Sequence, residues 1–103
     1  MAGMYCLNDL LALSVRESAQ ELRLEQGRPP SIVVQGQFRP LDLPELTVDD
    51  VAKLFSSFAT WEQTEELNRC GDIRFTYTSP HSGRFTVNAS AGRKDFTLNI
   101  KPL

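Results

Sequence analysis

Long apolar runs are missing from this chain of 103 residues. Nothing approaches the roughly 18 residues that a membrane-crossing helix needs. The longest runs are of the size of Ile32-Val33-Val34, so no membrane insertion is expected. Met1 to Cys6 lack a basic segment followed by a long apolar one, which excludes a secretory signal and makes the cytoplasm the expected location. Histidine and cysteine are scarce. His81 stands alone, and Cys6 and Cys70 lie far apart with no CxxC spacing. A zinc site takes about four N or S ligands at close spacing, so no metal is expected, and two free thiols are expected rather than a disulfide. Lysine and arginine form no run, and the formal net charge is -2. A nucleic-acid module resting on bulk charge is excluded on that ground.

Catalytic motifs are missing as well. There is no GxxxxGK[ST] to cradle phosphates and no GxGxxG. No Ser/His/Asp or Cys/His set has an evident scaffold, and His81 sits in a Pro-Ser-Gly turn. Asp49-Asp50 and Glu65-Glu66 read as solvated helix faces rather than acid–base pairs. The chain is expected not to be an enzyme, and no cofactor is assigned.

Hydrophobic residues make up 41% of the chain and charged residues 23%, as in an ordinary globular domain. Residues 1–103 are read as one small domain. Leu7, Leu10, Leu11 and Val15 recur at helical spacing, which predicts a helix over Leu7–Ser18 capped by Asn8 or Asp9. Glu21–Glu25 alternates strictly and predicts a half-buried strand with Leu22 and Leu24 inward. Pro29-Pro30 forces a turn. Ser31–Gln35 is a second strand, Gln35-Gly36 a hairpin turn, and Phe38–Leu41 a short third strand that Pro40 marks as an edge or an end.

Thr47 caps a second helix whose stripe is Val48, Val51, Ala52, Phe55 and Phe58, with Leu54 at its margin. Asp49 and Asp50 suit its positive end. Thr60 and Gln63 form a capping box for a third helix, Trp61 to about Arg69, ended by Gly71. Trp61 and Leu67 are its expected anchors. Three strands close the chain at Asp72–Thr78, Arg84–Ala89 and Lys94–Ile100, an antiparallel meander. The class is α+β, with about six antiparallel strands and three helices in the order αβββααβββ.

The strand from Arg84 has two unlike faces, Phe85 and Val87 on one and Arg84, Thr86 and Asn88 on the other. Arg74, Arg84 and Arg93 with Asn88 are the candidate residues for contacting an anion, a nucleotide or a partner. Arg23, Arg28, Arg69 and Lys94 are further cations that a modest anion-binding face would draw on.

The order of short motifs resembles one family. Leu10-Leu11 on a helix is followed by Ala19-Gln20-Glu21-Leu22-Arg23-Leu24, by Gly27-Arg28-Pro29-Pro30 and by the hairpin from Val34 to Leu41. Gly71 to Tyr77, Gly83 to Asn88 and a last strand ending in Ile100-Lys101-Pro102 follow. This order is similar to the N-terminal domain of the PilT-type retraction ATPases of type IV pili, with their "A-S-D-L-H-L" strand, "G-x-P-P" turn, "V-D-G-x-x-R-x-L" hairpin, "G-E-L-D-F-S-Y" and "x-R-F-R-V-N". It covers about Leu7 to Pro102. The resemblance implies a PAS-like domain that in the family precedes a RecA-like ATPase core in a hexameric ring and lends arginines to the nucleotide.

Several of the family's positions are filled differently. Arg84 matches the first arginine of "R-F-R-V-N" but Thr86 replaces the second, Arg93 lies near the loop arginine, and Asn99 replaces the arginine of the last strand. Glu21 and Arg23 stand for the family's Asp and His, and Arg74 stands for the aspartate before the Phe. Losing two arginines removes charge-assisted bonds to a triphosphate. The expected function is therefore a non-catalytic interaction or regulatory module. Its expected partner is a PilT-like ATPase, another pilus or secretion protein, or a second copy of itself. The alternatives are an N-terminal piece of a hexameric PilT-like ATPase and a PAS-like sensor of a small ligand in its core.

Overall fold

The computed structural model describes residues 7–80, 82–92 and 95–103. Cys6, His81, Arg93 and Lys94, which entered the expectations above, lie outside them. Helix α1 (Leu7–Arg16) precedes β1 (Glu21–Glu25), β2 (Ser31–Val34) and β3 (Gln37–Pro40). Helices α2 (Val48–Phe58) and α3 (Trp61–Cys70) then lead into β4 (Asp72–Ser79), β5 (Gly83–Ala91) and β6 (Phe96–Pro102). The element order is the expected one. The strands form one six-stranded antiparallel sheet in the order β3-β2-β1-β6-β5-β4.

Each half of the sheet is a meander whose turns follow from local sequence. Gln35 and Gly36 join β2 to β3 with positive φ at both positions, the two-residue turn whose twist matches the flanking strands. The Gly36 N–H donates to Gln20 Oε1 at 2.8 Å, which anchors that turn to the start of β1. β5 and β6 are joined across Gly92–Asp95, where the Gly92 N–H donates to the Asp95 carbonyl at 2.8 Å. The two meanders meet where β1 pairs with β6, with Leu22 opposite Ile100 and Leu24 opposite Leu98.

One face of the sheet carries the core. Leu22, Leu24, Leu98, Ile100, Phe85, Val87 and Ala89 are fully buried beneath the helices. Phe55 of α2 is the hub of an aromatic cluster. Its ring centroid lies 5.8 Å from Phe58, 6.2 Å from Phe75 and 5.8 Å from Phe96. Phe58 in turn stacks edge-on to Tyr77 at 5.0 Å. This cluster pins α2 over β4 and β6. Both Thr caps form complete capping boxes, Thr47 with Asp50 and Thr60 with Gln63. Gly71 ends α3 at φ +89, a conformation that favours glycine.

Several apolar residues lie elsewhere than expected. Ser14 is buried and Val15 is exposed. At 100° per residue Ser14 falls roughly 20° from the direction of Leu7, inside the Leu7/Leu10/Leu11 stripe, whereas Val15 falls roughly 80° away. Val48 and Trp61 each occupy the first helical position after a Thr cap and are exposed. Trp61 is 75% exposed, so Leu67 alone anchors α3. Asn8 lies inside the first turn of α1, and its Oδ1 accepts from Ser79 Oγ at 3.3 Å rather than from the helix backbone.

Truncation should separate these two classes of residue. Ile100→Ala is expected to cost about 2–5 kcal/mol of stability, whereas Trp61→Ala should shift it by less than about 0.5 kcal/mol. Urea denaturation of the two variants checks this; comparable losses would contradict the placement of Trp61. Thr60→Ala, which removes one half of a capping box, should cost about 1 kcal/mol in the same assay.

Candidate anion- or partner-binding face

The candidate residues Arg74, Arg84 and Asn88 belong to the sheet face opposite the helices. Alternation along β5 buries Phe85, Val87 and Ala89 and turns Arg84, Thr86, Asn88 and Ser90 the other way. Cross-strand register then fixes who stands beside whom. Arg84 faces Thr78. Thr86 lies between Thr76 and Lys101. Asn88 lies between Arg74 and Asn99, and Asn99 in turn faces Arg23 of β1. Ser90 lies between Asp72 and Thr97, and Thr97 faces Glu25.

The register brings two of the candidates together and sets one apart. Arg74 and Asn88 are directly opposed and line a shallow depression of about 360 Å³ with Asp72, Ser90, Thr97 and Asn99. Arg84 is four residues further along the same strand, about 13 Å away at the extended rise of a strand. It does not share the depression. Arg93 lies outside the described residues.

Electrostatics divides the wider set of cations. Arg23 is neutralised within its own strand, with Nε 3.0 Å from Glu21 and Nη1 3.7 Å from Glu25. Arg28 Nε lies 3.6 Å from Glu25. Arg69 sits on the exposed last turn of α3, off the sheet. Among the described residues no carboxylate pairs with Arg74, Arg84 or Lys101. These three are the cations that this face leaves available. Charge in such exposed positions is screened by salt and acts over about 10 Å.

Two features of the face were not read from sequence. Lys101 stands directly across from Thr86, so a cation borders that position from the neighbouring strand. The signal was present in the final strand, but it needs the length of the β5–β6 connection before it becomes a register. Asn99 Oδ1 is buried and has no hydrogen-bond partner among the described residues. A buried acceptor left unpaired costs about 1–3 kcal/mol. No group of three or more His, Cys, Asp or Glu among the described residues is placed to hold a metal ion. None of their helices is long and apolar enough to cross a membrane.

Comparison with known proteins places these features in a lineage. No family model matches the chain. The chain is 32% identical over 83 residues, 81% of its length, to the type IV pilus retraction ATPase PilT of Pseudomonas aeruginosa. It is homologous to the N-terminal region of that protein and spans 24% of its length. Its fold matches the pilus retraction motor PilT crystallised with bound ADP, with a TM-score of 0.88 over 96% of this chain and 29% of that one at 24% identity. It also matches the ATPase DotB of Legionella pneumophila, with a TM-score of 0.79 over 94% of this chain and 28% of that one at 20% identity.

The separation of Arg84 from the Arg74–Asn88 pair predicts how the isolated chain meets a nucleotide. Isothermal titration with ATP should give no measurable binding, because no phosphate-cradling loop accompanies these cations. Binding that disappears in Arg84→Ala would contradict this expectation.

Proposed function

We propose that this PilT-related domain is a non-catalytic interaction or regulatory module that works beside a pilus or secretion ATPase. The carrying observation is homology to the N-terminal region of PilT in a domain whose unpaired cations are spread over the sheet face rather than gathered at one point. The polar sheet face supports a protein partner better than a triphosphate. A triphosphate needs several donors converging on one small volume, whereas Arg74, Arg84 and Lys101 are spread along three strands. A spread of unpaired cations suits an acidic protein surface, where it steers encounter and orientation.

A second reading is favoured by the coverage. The chain spans about a quarter of the PilT length, which fits the first part of a longer ATPase equally well. The coding sequence beyond Leu103 separates the two, since a downstream GxxxxGK[ST] would make the catalytic core part of the same protein.

Mixing the domain with a PilT-type ATPase of its own organism tests the first reading by size-exclusion chromatography. A complex is expected at micromolar protein that weakens with added salt. Reversing charge at Arg74, Arg84 and Lys101 together should weaken it roughly tenfold or more. No complex at high micromolar protein would overturn the reading.

A further inference from the structure

The two edges of the sheet are unlike. β3 is short and contains Pro40, which has no N–H to offer a neighbouring strand. β4 is eight residues long and contains no proline. Its hydrogen-bonding parity follows from two bonds at its ends. The Ala91 N–H donates to the Gly71 carbonyl at 2.8 Å, and the Leu103 N–H donates to the Arg84 carbonyl at 2.9 Å. The first bond makes Gly71–Ala91 a hydrogen-bonded pair of the β4–β5 ladder. The second turns the Arg84 carbonyl toward β6, so Arg84–Thr78 is a non-hydrogen-bonded pair. The pairs alternate along an antiparallel ladder. Ile73, Phe75, Tyr77 and Ser79 therefore bond to β5, while Asp72, Arg74, Thr76 and Thr78 direct their N–H and C=O groups outward. No hydrogen bond among the described residues meets those outward groups.

The inward side of the same edge is also incomplete. Phe85, Val87 and Ala89 of β5 are fully buried, but the residues opposite them, Tyr77, Phe75 and Ile73, are only half-buried. An apolar fringe thus borders a row of unpaired backbone groups.

We propose that β4 pairs antiparallel with β4 of a second copy of this chain, continuing the sheet across a twofold axis. The strand is complementary to itself in one register. With Phe75 opposite Phe75, Asp72 meets Thr78 and Arg74 meets Thr76, so every outward residue of each copy has a partner. A shift of two residues in either direction leaves part of the row unpaired, and one such shift sets Arg74 against Arg74. In the favoured register the Phe75 pair is of the non-hydrogen-bonded type, where side chains approach most closely. Ile73 faces Tyr77 beside it. The fringe exposed in the single copy is then covered by its own image, and aromatic cross-strand pairs stabilise such a joint. The contact is one strand wide, smaller than the interface of a stable dimer, so it forms with rising concentration. It uses the backbone of the strand edge and does not depend on the proposed work beside an ATPase, although Arg74 belongs to both surfaces.

Sedimentation velocity over a concentration series tests it with variants of opposite sign at one exposed position. Thr76→Glu places a carboxylate opposite Arg74 of the second copy twice per dimer and should tighten dimerisation by about 2- to 30-fold; Thr76→Lys should weaken it by a similar factor. Amide hydrogen exchange should show protection of Asp72, Arg74, Thr76 and Thr78 that grows with concentration. A single monomeric mass at all concentrations up to about 1 mM, or a dimer indifferent to the charge at position 76, overturns the proposal. So does a monomer whose four outward amides are already protected, because the chain would then cap its own edge.

Discussion

The pairing of β1 with β6 is the constraint on which the rest of the molecule depends. Every other strand pair joins neighbours along the chain through a short connection. This one joins the two ends, and it sets Leu22 on Ile100 and Leu24 on Leu98. Closing so long a loop costs chain entropy before any contact repays it. The repayment comes from four side chains that are almost wholly removed from water, each worth about 1.5–3 kcal/mol in transfer alone. Without that joint the chain would hold two three-stranded meanders, each with one apolar face and no shared floor for α1 and α2.

The same joint sets the chemistry of the opposite face. Once Leu22 and Ile100 are opposed, alternation forces Arg23 beside Asn99. Glu21 and Glu25 flank Arg23 on its own strand and neutralise it. The half of the face built from β1 is therefore electrostatically closed. The half built from β4, β5 and β6 is open, with Arg74, Arg84 and Lys101 unpaired among the described residues and a buried amide oxygen at Asn99. Function is expected on the open half because groups there still have hydrogen-bonding and charge capacity to give.

Local physics made much of this legible in the sequence. Strict alternation separated Phe85 and Val87 from Arg84 and Asn88, and two threonines announced their helices through side chains that bond back to the third residue. The helix stripes were less legible. Periodicity says which residues share a direction, not how far the sheet beneath extends. Val48 and Trp61 lie at helix starts and remain largely exposed, although their apolar character fits the stripe. The candidate site was legible as a set of residue types and not as a place. Arg74 and Asn88 meet because of strand register, while Arg84 belongs to the same strand and yet to a different neighbourhood. Lys101 was hidden for the same reason, since a residue's cross-strand neighbour depends on how many residues the turn consumes.

Register also decides where unpaired positive charge lies on this face. A sheet face is a lattice in which each site has neighbours along its own strand and across to the next. Thr86 has a cation one strand over, at Lys101, about 5 Å away. At Asn99 the neighbours are Arg23, already paired with carboxylates, and Asn88. The face therefore carries an unpaired cation directly across from Thr86 and none directly across from Asn99. A ligand that needs donors converging on a point is poorly served by that spread. A broad partner surface, which senses charge over about 10 Å, feels little of it. Spread cations of this kind serve a nucleotide contact less well than a protein contact, which is why an interaction role is the one proposed for the face.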